Sequence, residues 1–193
     1  MTVERGCNVA VMQMIDAHRP LTSTPRCLEA ELMITVVLPT HNSAARLVHV
    51  LPLLVPAAVD GLVKAVVFAD AGSTDATLAI AEDSGARVVQ ATGDVGPRLA
   101  VGCGVVQSAW ILALGEDLVL PEGWRTPVEA HLAGGGGKPA WIAGRGFLGL
   151  PGRALAVLAS RDAVAAAGAP RTSGDPLKAL LGVLMPKALA LRT

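Results

Sequence analysis

ITVVLPTHNSAARL, residues 34–47, is the stretch that decides the fold. Ile34 to Leu38 is a short, continuous, β-branched apolar run closed by Pro39, the pattern of a strand buried on both faces of a parallel sheet. A helix is expected directly after it. Ser43 is placed to cap that helix, and Leu47, Val50, Leu51 and Leu54 recur at helical spacing to form its inward face. Pro52 is expected to kink the helix or end it early, because it lacks the N–H that a helix interior needs.

The same unit repeats outward from this stretch. Ala65 to Ala69 is a second apolar run, ending at Asp70 in DAGSTDAT. A helix capped by Ser73 or Thr74 should follow, with Leu78 and Ala81 facing inward and Gly85 closing it in a left-handed conformation. Arg87–Ala91 reads as a third strand, Pro97–Ser108 as a third helix opened by a favourable proline, and Trp110–Leu114 as a fourth strand. Such a βαβαβαβ order gives a parallel sheet with right-handed crossovers, whose ligands bind beyond the carboxyl ends of the strands. The polar residues fall there: PTHN after the first strand, Asp70 after the second, and Gly115–Asp117 after the fourth.

Toward the carboxyl terminus the pattern gives a helix near Glu122–Leu132, a flexible glycine run at 134–137, strands at Trp141–Ala143 and Ala154–Ala159, and a helix at Arg161–Ala167. Pro176–Leu191 spaces Leu177, Leu180, Leu181, Leu184 and Leu191 as an amphipathic helix kinked at Pro186. A helix covering the sheet is the preferred reading of it, with a peripheral membrane contact as the alternative. Residues 1–32 carry no sustained period and contain Pro20 and Pro25, so they read as a poorly ordered extension before a single domain over 33–193. Met33, next to the first strand, is a candidate translation start.

Composition narrows the function classes. A chain of 193 residues suits one domain, and with 52% hydrophobic residues but only 2 Phe, 3 Trp and no Tyr its core is expected to be mainly Ala, Val and Leu. The 16 basic and 16 acidic residues cancel without clustering, which argues against a nucleic-acid partner. Cys7, Cys27 and Cys103 are odd in number and form no CxxC pair, so no disulfide framework or zinc site is indicated, and Cys103 reads as a small buried residue. No apolar run is long enough to span a bilayer, and a cytoplasmic location is expected.

ITVVLPTHNSAARL, FADAGSTDAT, ARVVQA and WILALGEDLVLPEGW, in this order and spacing, resemble the amino-terminal half of a family 2 glycosyltransferase. The resemblance implies an α/β domain of the GT-A nucleotide-diphospho-sugar transferase type, three-layered around a mostly parallel sheet. Residues 33–124 would be the nucleotide-binding half and 125–193 a reduced acceptor half.

It also implies roles. Pro39, Thr40 and Asn42 would line the nucleoside pocket, and Asp70 would accept a hydrogen bond from the imide nitrogen of the base. Arg98 would assist at base or phosphate. Asp75, opening a helix, suits capping better than ligand contact. Asp117 falls on the second Asp of the family's DxD metal motif, whose first Asp is replaced by Gly115. It would hold Mg²⁺ or Mn²⁺, which bind through carboxylates, phosphates and waters. In an extended segment Glu116 would point away from residues 115 and 117 and could not substitute. VLASRDAVAAAGAPRTSGDPL resembles the family's later segment and makes Asp175 the candidate general base.

The activity implied is metal-assisted, inverting transfer of a sugar from a nucleotide-diphosphate donor to an unidentified acceptor hydroxyl. The alternative is a binding or regulatory module that keeps the fold without turnover, a reading Gly115 favours. A nucleotidyltransferase or a Rossmann dehydrogenase would need a glycine-rich loop after the first strand, and PTHNSAAR is not one.

Overall fold

The computed structural model describes residues 32–135, 138–145, 151–167 and 187–189. The expectations for residues 1–31, for Asp175 and for most of the 176–191 helix therefore lie outside the described residues.

In chain order the elements are β1 (Ile34–Thr40), α1 (Ala44–Val59), β2 (Val63–Asp70), α2 (Thr77–Asp83), β3 (Arg87–Gln90), α3 (Val95–Gly104), β4 (Trp110–Leu114), α4 (Arg125–Ala133), β5 (Ala140–Arg145), β6 (Pro151–Ser160), α5 (Arg161–Ala167) and β7 (Lys187–Leu189). Residues 187–189 are thus a strand, where an amphipathic helix was expected. Its pairing with β5 supplies backbone partners that a helix would have had to find within itself.

The strands form one sheet in the order β3-β2-β1-β4-β6-β5-β7. The pairs β3–β2, β2–β1, β1–β4 and β5–β7 are parallel, while β6 runs antiparallel to both β4 and β5. Helices cover both faces, giving three layers. Ile34, Val36 and Leu38 of β1 pack with Leu47, Val50 and Leu54 of α1 and with Trp124, Val128 and Leu132 on one face. Val37, Val67, Ile111 and Val157 meet Val95, Leu99 and Cys103 of α3 on the other. Each fully buried Leu or Val of this kind contributes about 1.5–3 kcal/mol.

Three local expectations are corrected. Pro52 does not end helix α1 early: it runs through both Pro52 and Pro56 to Val59. Both prolines are exposed, on the side of the helix away from the sheet's core residues. Helix α2 starts at Thr77 without Ser73 or Thr74 as its cap, because the Ser73 hydroxyl is bonded to Asp70. With that start, Thr77 and Ala81 are buried and Leu78 is 37% exposed rather than inward. Gly85 does close α2 with φ at +66°. Among the described residues no helix is long and apolar enough to cross a membrane.

Candidate functional site

Chain order reverses direction in the sheet between β1 and β4, which makes their carboxyl ends a topological switch point, the usual crevice for a ligand in such a fold. Three loops meet there: Pro39–Ser43 after β1, Asp70–Asp75 after β2 and Gly115–Asp117 after β4.

Side chains and amides lace the first two loops together. Asp70 is fully buried, and its carboxylate accepts from Thr40 Oγ1 at 2.9 Å, from the amides of Gly72 at 2.9 Å and Ser73 at 2.8 Å, and from the Ser73 hydroxyl. Burial alone would push its carboxyl up. Hydrogen bonds from Ser73, Thr40 and Gly72 outweigh that effect and hold it below the usual carboxylate range. A carboxylate offers about four acceptor positions, and all four are used inside the protein. These four bonds fix Asp70 at the end of the β1–β2 pair. It organises the loop that a ligand would meet.

Asn42 has φ at +47°, a left-handed backbone that Asn tolerates better than most residues. Its amide donates to Ser73 Oγ at 2.9 Å, and its Oδ1 accepts from the Thr74 amide at 2.9 Å. The Ser43 amide donates to Thr77 Oγ1 at 2.8 Å. Asp75 accepts from the amides of Ala44 at 3.1 Å and Thr77 at 3.0 Å, so one carboxylate serves the first amide of both α1 and α2. The bond with Thr77 chiefly, helped by Ala44 and opposed by desolvation, holds Asp75 below the usual carboxylate range. Pro39 and Thr40 are buried, whereas His41 and Asn42, just past the end of β1, are exposed.

Arg98 crosses the switch point. It projects from the first turns of α3, is 4% exposed, and donates from Nη1 to the Thr40 carbonyl oxygen at 3.0 Å and from Nη2 to Glu116 Oε1 at 3.2 Å. Its buried Nε has no hydrogen-bond partner among the described residues. Helix α3 can approach the sheet this closely because residue 102 is glycine: a Cβ there would stand 2.7 Å from Val37 Cγ1 and 3.1 Å from Ala69 Cβ.

The third loop is a turn rather than an extended segment. The Leu118 amide donates to the Gly115 carbonyl oxygen at 3.0 Å, with Leu118 at φ +50°. The alternation expected for residues 115–117 therefore does not apply, and the two carboxylates are taken by different arginines. Glu116 pairs with Arg98, and Asp117 Oδ2 lies 2.5 Å from Arg153 Nη1. Arg46 Nη1 donates to the Glu116 carbonyl oxygen at 3.4 Å.

A divalent cation would need several oxygen ligands here. The described residues hold no group of three or more His, Cys, Asp or Glu arranged for a metal. Gly115 supplies none, and Asp117 is paired with Arg153. As arranged, these residues do not fit a preformed divalent-metal site.

Of the residues singled out in the sequence, Pro39, Thr40, Asn42, Asp70, Arg98 and Asp117 all stand at the carboxyl ends of β1, β2 and β4, and Asp175 lies outside the described residues. Sequence reasoning missed Arg153, Arg46, Ser73 and Thr77. DAGSTDAT held a signal for Ser73, since a small hydroxyl residue flanking a buried Asp is its ready donor.

The sequence model described as "Glycosyl transferase family 2" matches residues 35–136, just over half of the chain. No curated protein sequence matches it. Among solved structures, the chain resembles glucosyl-3-phosphoglycerate synthase from Mycobacterium tuberculosis in complex with UDP, with a TM-score of 0.63 and 23% identity over 86% of this chain and 73% of that one. The same enzyme with Mn²⁺, UDP and glucosyl-3-phosphoglycerate gives 0.61 and 23% over 91% and 78%. With Mn²⁺ and UDP-glucose it gives 0.62 and 24% over 86% and 73%. The chain belongs to glycosyl transferase family 2 and has the GT-A fold.

Proposed function

We propose that this protein binds a nucleoside diphosphate sugar in the crevice between the ends of β1 and β4 and transfers the sugar, with inversion, to an acceptor hydroxyl. The observation that carries this reading is the meeting of the PTHN, DAGSTD and GED loops at one switch point in a chain of this family. In the reaction a bond forms from the acceptor oxygen to the anomeric carbon. The bond from that carbon to phosphate breaks, its electron pair leaving with the diphosphate, and the hydroxyl proton passes to a base. Asp175 is proposed as that base from its sequence context.

Pro39, Thr40 and Asn42 form the floor and rim for the nucleoside. Asp70 acts on it indirectly, by fixing the amides and hydroxyls of the DAGSTD loop. Asp117 is the residue that would meet a divalent cation, but its pairing with Arg153 argues against a preformed site, and no step is assigned to a metal. The same pairing and Gly115 favour a second reading, a module that binds the nucleotide without turnover.

Thermal unfolding with UDP, GDP, CMP and ATP tests the donor site. UDP or GDP at about 100 times its Kd should stabilise the protein by about 2.7 kcal/mol, since the folded state alone binds it. No shift with any of the four at millimolar concentration rejects the reading. Binding without release of nucleoside diphosphate from any sugar donor and acceptor series would select the second reading.

A further inference from the structure

The turn after β4 gathers positive charge in a chain whose overall charge is zero. Arg46 comes from α1, Arg98 from α3 and Arg153 from β6, and all three guanidinium groups bond to residues of the Gly115–Asp117 turn. Against them stand Glu116 and Asp117, so the side chains bonded to this turn carry net positive charge. The register explains why Arg153 arrives here. In the antiparallel β4–β6 pair Leu114 faces Ala156, and the Gly115 amide donates to the Leu155 carbonyl oxygen at 3.0 Å. Past that bond the chain turns, and Arg153, two residues before Leu155 on β6, reaches Asp117 through its side chain.

Arg153 and Asp117 are 60% and 50% exposed, so their ion pair is screened by water and holds Arg153 only weakly. Arg98 differs: its guanidinium is buried, its Nη groups are engaged at the ends of β1 and β4, and its Nε has no partner among the described residues. One fixed and one transferable guanidinium beside the same turn match the needs of a diphosphate. An arginine binds phosphate through two parallel N–H donors, more strongly than it holds a single exposed carboxylate.

We infer that Arg153, beside Arg98 and Arg46, supplies the positive charge for the donor's diphosphate at the Gly115–Asp117 turn in place of a divalent cation, exchanging Asp117 for phosphate oxygens when the nucleotide binds. This rests on the transferase reading above. In that reaction the electron pair of the broken bond from the anomeric carbon to phosphate comes to rest on the diphosphate, and fixed cations stabilise it as it develops. Asp117 then acts as the partner that holds Arg153 when the crevice is empty. A guanidinium also explains how the chain manages with Gly115, since Arg153 needs only one carboxylate to hold it.

Binding of UDP and of inorganic pyrophosphate to the full chain, followed by calorimetry in EDTA and in Mn²⁺, tests this with Arg153→Ala, Arg153→Lys and Asp117→Asn. UDP should bind in EDTA, with less than a twofold change on adding Mn²⁺. Arg153→Ala should weaken UDP and pyrophosphate by roughly tenfold, and Arg153→Lys should recover part of the loss. Asp117→Asn gives the deciding sign: releasing Arg153 should leave UDP affinity unchanged or raise it, whereas loss of a metal ligand would lower it. Because Asp117→Asn reads the same contact from the other side, a misfolded Arg153 variant does not end the test. UDP binding that needs Mn²⁺ and collapses in Asp117→Asn while Arg153→Ala is neutral overturns this inference and leaves the transferase reading standing. Absence of UDP binding in both media removes the donor site, and this inference with it.

Discussion

Thr40 Oγ1 donates a 2.9 Å hydrogen bond to Asp70 Oδ1, tying the end of the central strand to the end of its neighbour. In the parallel register Thr40 and Asp70 are direct partners, so the bond closes the β1–β2 pair where the backbone ladder stops. Gly72 and Ser73 of the DAGSTD loop hang from this carboxylate.

Asp70→Asn should therefore be costly. An amide can accept on one side only, so its NH₂ would confront amides or hydroxyls that now donate to Asp70, leaving buried donors unsatisfied at a cost of about 2 kcal/mol. The pH dependence has a definite sign. Asp70 has its carboxyl depressed in the folded state, so its contribution is complete above the unfolded value of about 3.9 and is lost as pH falls through that value toward the lower folded one. Urea midpoints of wild type and Asp70→Asn should thus differ fully at pH 7 and converge below about pH 4. A difference that stays constant down to pH 3 would show that ionisation of Asp70 is not what the loop uses.

Gly102 sets the distance of α3 from the sheet, and with it the place of Arg98 one turn earlier. Gly102→Val adds carbon atoms where even a Cβ would lie 2.7 Å from Val37. The overpacking should cost about 2–3 kcal/mol. It should also move Arg98 away from the Thr40 carbonyl, so nucleotide affinity is expected to fall together with the thermal midpoint. A variant of unchanged stability and affinity would mean that the helix can shift without disturbing the crevice.

The parts of this molecule that were legible in the sequence are those set by local pattern. Trp110–Leu114 and Arg161–Ala167 appear end for end as read, because a continuous apolar run and a short helical run need no distant information. Long-range features were not legible. Arg153 lies in a strand that begins at Pro151, three residues before the run at Ala154 that marks it, since Pro, Gly and Arg carry little strand signal. Its place near Asp117 depends on the antiparallel pairing of β6 with β4, which single-strand periodicity does not encode. Asp70 was visible as a strand-end acid, but saturation of its oxygens depends on Thr40, thirty positions away. Leu78 was misjudged by helical phase, because Asp75 holds the start of α2 at Thr77.

Cys103 offers a check on the face of the sheet opposite α1. It packs on α3 with Leu99 and Val95 against Val37 and Val67, is 6% exposed, and burial pushes its thiol up to about 12. The thiolate is the reactive form, so at pH 8 only about one molecule in ten thousand would carry it even if the reagent could enter. In a Cys7→Ser, Cys27→Ser background, a thiol-specific reagent should label Cys103 only as fast as the protein opens, and labelling should rise with urea in step with unfolding. The rate near neutral pH should not follow the reagent's reactivity toward a free thiol. Rapid labelling of the folded protein would instead mean that α3 separates from the sheet without global unfolding. Arg98, carried by the same helix, would then lose its hold on Thr40 and Glu116 in that open form, and nucleotide binding should slow the labelling.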